Sequence, residues 1–325
     1  MIVKDISARD FWIARKRITP YITRTPLVYS PGLSEKSGAN VWLKMENLQE
    51  VGAFKIRGAA NKILSLTPEE RSRGVAAFST GNHGMAVACI ARRLGIKATV
   101  CMSRNVPQVK VDNIKRWGAE ILQNWESQDD AGRYCFETLE KKEGMTVIPP
   151  FDDREIICGQ GTISLELLED FPEVDTVLVP LSGGGLISGI TLGLKLNLNG
   201  VEVVGISMER SAVMIESLKA GHPVELPEEE TLADSLLGGI GLENRYTFDI
   251  TREYVDRTAQ VSEHEIAAGI AYVMGQHKLI VEGASAVGAA LALRNDTRLR
   301  GRNIAIVVTG CGIAMETVKK ILNGE

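Results

Sequence analysis

The alternation of short β-branched apolar runs with longer helical patterns constrains this chain more than any other feature. Strand-like runs occupy 40–45 (NVWLKM), 74–79, 97–102, 145–150, 175–181 (DTVLVPL), 201–207 (VEVVGIS) and 303–310 (NIAIVVTG). Helical spacing of apolar residues fills the intervals at 56–65, 82–94, 106–117, 127–143, 158–170, 186–197, 212–219, 262–276 and 283–295. Strands that are apolar throughout and alternate with helices predict a parallel sheet covered on both faces, an open, doubly wound α/β class. At 325 residues the chain exceeds what one hydrophobic core usually serves. Three consecutive strand–helix units predict a small α/β domain over 73–147, leaving a larger domain built from 1–72 plus 148–325. The stretch 220–260, with HPVELPEEET and GGIGLENRYTF, reads as long and structureless, and such a segment in a compact protein points to function.

Several function classes are disfavoured. The net charge of −4 offers no basic excess for nucleic-acid phosphates. No apolar run reaches the ~18–20 residues of a membrane span. The first residues, MIVKDISARDFWIARKR, lack the apolar core of a signal peptide. The five cysteines are scattered with no C-x-x-C, which fits reduced thiols in a cytoplasm. The four histidines show no H-E-x-x-H spacing, and no metal is expected.

Four stretches can do chemistry. In PLSGGGLISG (180–189), a strand passes through Ser182, Gly183, Gly184 and Gly185 into a helix, where backbone N–H groups and the helix N-terminus suit a phosphate. A plain tight turn is the alternative. A dinucleotide loop fits less well: Ser188 stands at the third glycine position of G-x-G-x-x-G, and the next strand ends at Ser207 rather than an acid able to hold a ribose. In FSTGNHGMAVA (78–88), Ser79, Thr80, Gly81, Asn82 and His83 gather hydroxyls, N–H groups and an amide at a helix start, which suits a carboxylate; a helix capped by Ser79 or Asn82 is the bland reading. In VGAFKIRGAANK (51–62), Lys55 stands between Phe54 and Ile56. Desolvation there lowers the amine's proton affinity and a neutral amine can condense with an aldehyde, whereas a snorkelling lysine is an equal alternative. In VVTGCGIA (307–314), Thr309 ends a strand on the edge where open sheets bind ligands. Together the four match a cofactor with one phosphate, one aldehyde, one ring oxygen and one pyridine nitrogen.

The chain resembles the fold-type II pyridoxal-phosphate enzymes of the serine/threonine dehydratase group. ENLQEVGAFKIRGA (46–59), STGNHG (79–84), PPFDDREIICGQGT (149–162), SGGGL (182–186), LADS (232–235) and VEGASA (281–286) carry the resemblance in order over most of the chain. Other stretches, among them LLEDFPEVDTVLVPLSGGGL and GGIGLENRYTF, most resemble hydroxyectoine-utilisation dehydratases. The resemblance implies two doubly wound α/β domains of the tryptophan synthase β-like kind, with pyridoxal 5'-phosphate in the cleft between them. It implies that Lys55 holds the cofactor covalently and then removes the substrate Cα proton, with Phe54 beside the ring. It also implies that Asn82 bonds the ring hydroxyl and that Gly183, Gly184, Gly185 and Leu186 grip the phosphate. Thr309 would meet the pyridine nitrogen and Glu282 would lie near the ring edge. Ser79, Thr80, Gly81 and His83 would shape the substrate carboxylate site. A homodimer or homotetramer is implied as well.

Some positions depart from the group's pattern. Ala53 replaces a serine before Phe-Lys, and Ser235 replaces a glycine after Ala-Asp. Thr80 stands where related racemases carry a serine that donates a proton from the opposite face, and the tail reads T-G-C-G rather than S-G-G-N. A neutral hydroxyl at the pyridine nitrogen weakens the electron sink, so loss of a β-leaving group competes well with reprotonation. The expected reaction is therefore β-elimination of water from a β-hydroxy amino acid, giving a 2-oxo acid and ammonia. The substrate is serine, threonine or a bulkier compound such as a hydroxyectoine derivative. Asn244, Arg245, Tyr246 and Phe248 in the 220–260 segment are candidates for telling these apart. The alternatives are an amino-acid racemase, a β-replacement enzyme, or a non-catalytic binding module that has kept the fold.

Overall fold

The computed structural model of the chain describes all residues except Met1, Thr80, Pro107, Asn199 and Glu325, and the side chains of all the others except Ile2 and Asp129. Its largest sheet has six strands in the spatial order Arg257–Val261, Glu202–Met208, Thr176–Pro180, Asn303–Val308, Asn40–Met45 and Leu27–Tyr29. Five run parallel, and Leu27–Tyr29 closes one edge antiparallel to Asn40–Met45. Side chains alternate between two cores. Ile304 and Ile306 pack on one face beneath helices Glu263–His277 and Gly283–Leu293. Ala305 and Val307 pack on the other, beneath helices Gly185–Lys195 and Val213–Ala220. Burial on both faces is why these strands are apolar at successive positions.

A second sheet orders Glu120–Trp125, Ala98–Ser103, Val75–Phe78 and Thr146–Val147, all parallel. One of its cores also contains Ile56, Ala59, Ala60 and Ile63 of helix Lys55–Ser65, so this helix packs against the second sheet's own layer. An N-terminal hairpin, Ile2–Val3 with Ile6–Ser7, completes the pairing.

The expected structureless stretch 220–260 is a correction. It contains helix Thr247–Tyr254 and the edge strand Arg257–Val261. The helix is started by a distant cap: the Asp152 carboxylate accepts N–H bonds from Arg245 at 2.7 Å, Tyr246 at 2.9 Å and Thr247 at 3.0 Å. A cap supplied from elsewhere in the chain leaves no local signal. Helix 154–170 likewise begins four residues before its expected start at 158, because Asp153 caps it through the N–H groups of Glu155 and Ile156. The expected helix 127–143 is α-helical only over Gln128–Tyr134 and continues as a π-helical turn over Cys135–Glu140.

Helix 154–170 lies between helices 55–65 and 185–195, and glycines permit the close approach. A Cβ on Gly159 would stand 2.6 Å from the Arg57 carbonyl, and one on Gly189 would stand 2.6 Å from the Gly161 nitrogen. Behind Lys55, helices 55–65 and 154–170 share four buried charges with strand 40–45 and the residue after it. Arg57 donates to Glu46 at 2.7 and 2.8 Å and to Glu166 at 2.7 and 2.9 Å. Lys44 donates to Glu166 and to the Thr25 carbonyl, both at 2.6 Å. Two cations therefore offset two anions with their hydrogen bonds filled, the condition under which buried charge is tolerated. Arg57 is raised above its ordinary proton affinity: burial opposes its charge, but Glu46 and Glu166 outweigh that. Arg57→Ala leaves two carboxylates facing one lysine and is expected to cost about 3–5 kcal/mol in urea unfolding. Arg15→Ala, which removes a partly exposed partner of Glu169, should cost less than about 1 kcal/mol.

Candidate active site

The predicted site residues come from the C-terminal edges of both sheets. Strands 176–180 and 303–308 are neighbours, and the chain turns in opposite directions from them, the switch point at which open sheets take ligands. From the first strand the chain enters Gly183–Leu186, and from the second it enters Thr309. From the smaller sheet, strand 75–78 enters Ser79, Gly81, Asn82 and His83. Thr80 lies outside the described residues.

Lys55 is the first residue of its helix. Its Nζ donates to the Pro150 carbonyl at 2.8 Å and lies 5.3 Å from the Phe54 ring centroid, so it does not snorkel to solvent. Its side chain is half-buried, and desolvation lowers its pKa to about 8, against the opposing charge of Glu282. The helix N-terminus disfavours an ammonium in the same sense. His83 is buried, and its Nε2 lies 2.8 Å from the Ile148 carbonyl. Burial first, then the charge of Lys55, lowers its pKa to about 3, so it serves as a neutral N–H donor.

Asn82 does not cap its helix. Gly81 occupies that position without a side-chain cap, and the Ser79 hydroxyl accepts the Gly81 N–H at 3.3 Å. The Asn82 amide instead donates to both Glu282 oxygens, at 3.1 and 3.0 Å. Glu282 also accepts the Gly312 N–H at 3.0 Å. Burial raises its pKa and the charge of Asp234 adds to that, against the Asn82 and Gly312 bonds. Phe54 N–H donates to the Thr309 carbonyl at 3.0 Å, and Ala53 bridges Gly310, so the lysine segment lies on the end of strand 303–308. The buried Thr309 hydroxyl meets Ser285 Oγ at 2.9 Å.

The glycine turn fits a phosphate. Gly184 sits at φ 86°, ψ −9°, and helix 185–195 starts behind it. The first N–H groups of such a helix have no partner within it. A Cβ would come within 2.4 Å of Phe151 at Gly183, 2.8 Å of Thr247 at Gly184 and 2.8 Å of Phe151 at Gly185. Only glycines leave that backbone bare. Beyond its chain neighbours, a Cβ built on Gly81 would meet no atom within 4 Å, so open space lies beside it.

The residues between these groups went unrecognised in the sequence. Ile148 and Pro150 hold His83 and Lys55 through backbone carbonyls, Phe151 backs the glycine turn, and Asp152 anchors Thr247 against it. Backbone carbonyls carry no residue signature: Pro150, Phe151 and Asp152 lie within the motif PPFDDREIICGQGT and Ile148 just before it, yet nothing in their residue types points to these contacts. Asn244 accepts the Phe248 N–H at 2.8 Å and donates to the Ile240 carbonyl at 2.9 Å, and Phe248 is buried in the large sheet's core. These two hold the segment in place. Among the described residues no cluster of histidine, cysteine, aspartate and glutamate could hold a metal, and no helix is long and apolar enough to cross a membrane.

A bare backbone cradle, a lysine of lowered proton affinity, an amide–carboxylate pair and a strand-end hydroxyl define a site for a phosphate-bearing aldehyde cofactor. The family model described as "Pyridoxal-phosphate dependent enzyme" matches residues 18–310, and the chain belongs to that family. It is 44% identical over 322 residues, 99% of this chain and 97% of the other, to a Sinorhizobium fredii protein whose name assigns it provisionally to the threonine dehydratases. It is 40% identical over 318 residues to the L-threonine ammonia-lyase of Thermotoga maritima, covering 98% of this chain and 78% of that one. The structure of maize serine racemase superposes with a TM-score of 0.89 at 33% identity, covering 98% of this chain and 97% of that one. The protein is thus a threonine/serine dehydratase-like enzyme that depends on pyridoxal phosphate.

In cofactor-free protein, modification of Lys55 by an amine-directed reagent, read by peptide mass spectrometry, should show a midpoint at about pH 8. Glu282→Gln removes the opposing anion and should move that midpoint lower. His83, neutral when folded, favours the native state less as pH falls below its unfolded value of ~6.5. Between pH ~6.5 and about 3 it should contribute a loss of about 1.4 kcal/mol per pH unit. His83→Gln should abolish that part of the slope in denaturant titrations at each pH.

Proposed function

We propose that the enzyme eliminates water from a β-hydroxy amino acid, with L-threonine and L-serine as first candidates, and that the product hydrolyses to a 2-oxo acid and ammonia. The observation that carries this reading is the Lys55 amine of lowered proton affinity set between the bare glycine turn and the Asn82–Glu282 pair. Gly183, Gly184, Gly185 and Leu186 would hold the phosphate through N–H groups and the helix N-terminus. Asn82 would meet the ring hydroxyl, Thr309 the pyridine nitrogen and Phe54 the ring face. Bound pyridoxal phosphate supplies an aldehyde for attachment and an electron sink for the pair left when the Cα proton departs.

Lys55 takes that proton, for which a pKa of about 8 is well matched to neutral pH. Ser79, Thr80, Gly81 and neutral His83 orient the substrate carboxylate at the start of helix 82–94. Thr309, backed by Ser285, offers the pyridine nitrogen a neutral partner rather than an anion, which moderates the sink and favours departure of the β-hydroxyl. The same reading divides the chain into 1–72 plus 148–325 and 73–147, with the cofactor in the cleft between. Racemisation is the second reading, favoured by the likeness to a serine racemase.

Lys55→Ala should abolish covalent cofactor attachment and lower turnover by roughly 10²–10⁴-fold or more. A panel of L-serine, L-threonine, β-phenylserine, 3-hydroxyaspartate and a hydroxyectoine-derived compound, scored for ammonia and for enantiomer exchange, tests reaction and substrate together. Ammonia release from none of them sinks the elimination reading, and exchange without ammonia selects the racemase.

A further inference from the structure

Besides the Asn82–Glu282 bond, a second polar contact joins the small sheet's layer to the ridge beside Glu282. Lys110 Nζ lies 3.1 Å from Asp234 Oδ2. Lys110 belongs to helix Gln108–Lys115, whose Val111 and Ile114 are buried in the small sheet's core. Asp234 is fixed to the large sheet. Ala233 and Leu236 on either side of it are buried in the large core, and Leu232 N–H donates to Glu263 at 2.7 Å. The Leu232 carbonyl lies 2.0 Å from where a Cβ on Gly283 would stand, so this backbone rests directly on the residue after Glu282.

From this geometry we infer that Lys110 and Asp234 form a latch at the rim of the cofactor cleft. The latch holds the small-sheet layer, and with it the Asn82 helix, closed over the bound amino acid. Both side chains are partly exposed, at 38% and 45%. Such a pair is worth about 1 kcal/mol or less and is screened by salt, so it opens and closes at little cost. A buried pair in this place would lock the cleft. The two are positioning residues: Lys110 pairs with Asp234, whose charge bears on Glu282, and neither is assigned a contact with the reacting atoms. The inference rests on the proposed elimination at this site.

The test uses the holoenzyme with Lys110→Met, Asp234→Asn and the exchanged pair Lys110→Asp/Asp234→Lys. Amino-acid KM, kcat and the rate of pyridoxal phosphate release are read at low and high salt. In the wild type, KM should rise with salt. Each single variant should raise KM at low salt up to about fivefold, the equivalent of about 1 kcal/mol, with a smaller change in kcat and no remaining salt dependence. The exchanged pair should recover low-salt KM and its salt dependence. A KM unmoved in both single variants, or no recovery in the exchanged pair, overturns the latch. Cofactor release needs no turnover, so it still reads the latch if the wild type eliminates nothing. Faster release in the single variants and slow release in the exchanged pair then support it, and equal rates in all four proteins overturn it.

Discussion

The ion cluster of Arg57, Lys44, Glu46 and Glu166 is the interaction on which the site most depends. Lys55 precedes Arg57 by two residues at the start of one helix, so whatever fixes the guanidinium fixes the lysine's helix. Arg57 binds two carboxylates from different elements, one following strand 40–45 and the other on helix 154–170. A planar fork satisfied on both sides has little freedom to rotate. Buried ion pairs seldom add much stability over apolar packing, but they penalise any arrangement that separates the partners. The cluster thus converts four charges into one orientation for the helix that begins with Lys55.

Three helix N-termini, at Lys55, Asn82 and Gly185, contribute to the candidate site. Their positive ends favour anions, which suits one phosphate and one carboxylate, and disfavour added cations. Burial makes Lys55 and His83 hold their protons less tightly than usual and makes Glu282 hold its proton more tightly. The segment Ile148–Asp152 ties these parts together. It runs from the smaller sheet into the cap of helix 154–170, touching the lysine, the histidine and the glycine turn on the way. Its contribution is mostly geometric, through carbonyls, a ring and one capping carboxylate.

Much of this was legible in advance where the controlling forces are local. Strand 40–45 and helix 82–94 have their expected bounds, because burial on one side or both writes itself into apolar spacing. Edge strands Leu27–Tyr29 and Arg257–Val261 were not seen, since half-covered short strands carry mixed residues. Helix Thr247–Tyr254 was not seen because its cap, Asp152, is 95 residues from Thr247. Within the site, Gly183–Leu186, Asn82 and Lys55 were found by motif. Arg57 and Ser285 lay within quoted motifs without a role, since their partners come from other parts of the chain.

By itself the sequence determined the α/β class, the glycine turn, the lysine and the kind of cofactor these residues suit, because each rests on residue chemistry or on periodicity along one segment. Tertiary structure alone decided that the lysine is turned to the Pro150 carbonyl rather than to solvent, that Asn82 faces Glu282 instead of capping its helix, and that Lys110 meets Asp234. Each of these joins residues distant in the chain. Their geometry follows from how two sheets and their helices pack, and packing is a property of the assembled surfaces that no single segment encodes.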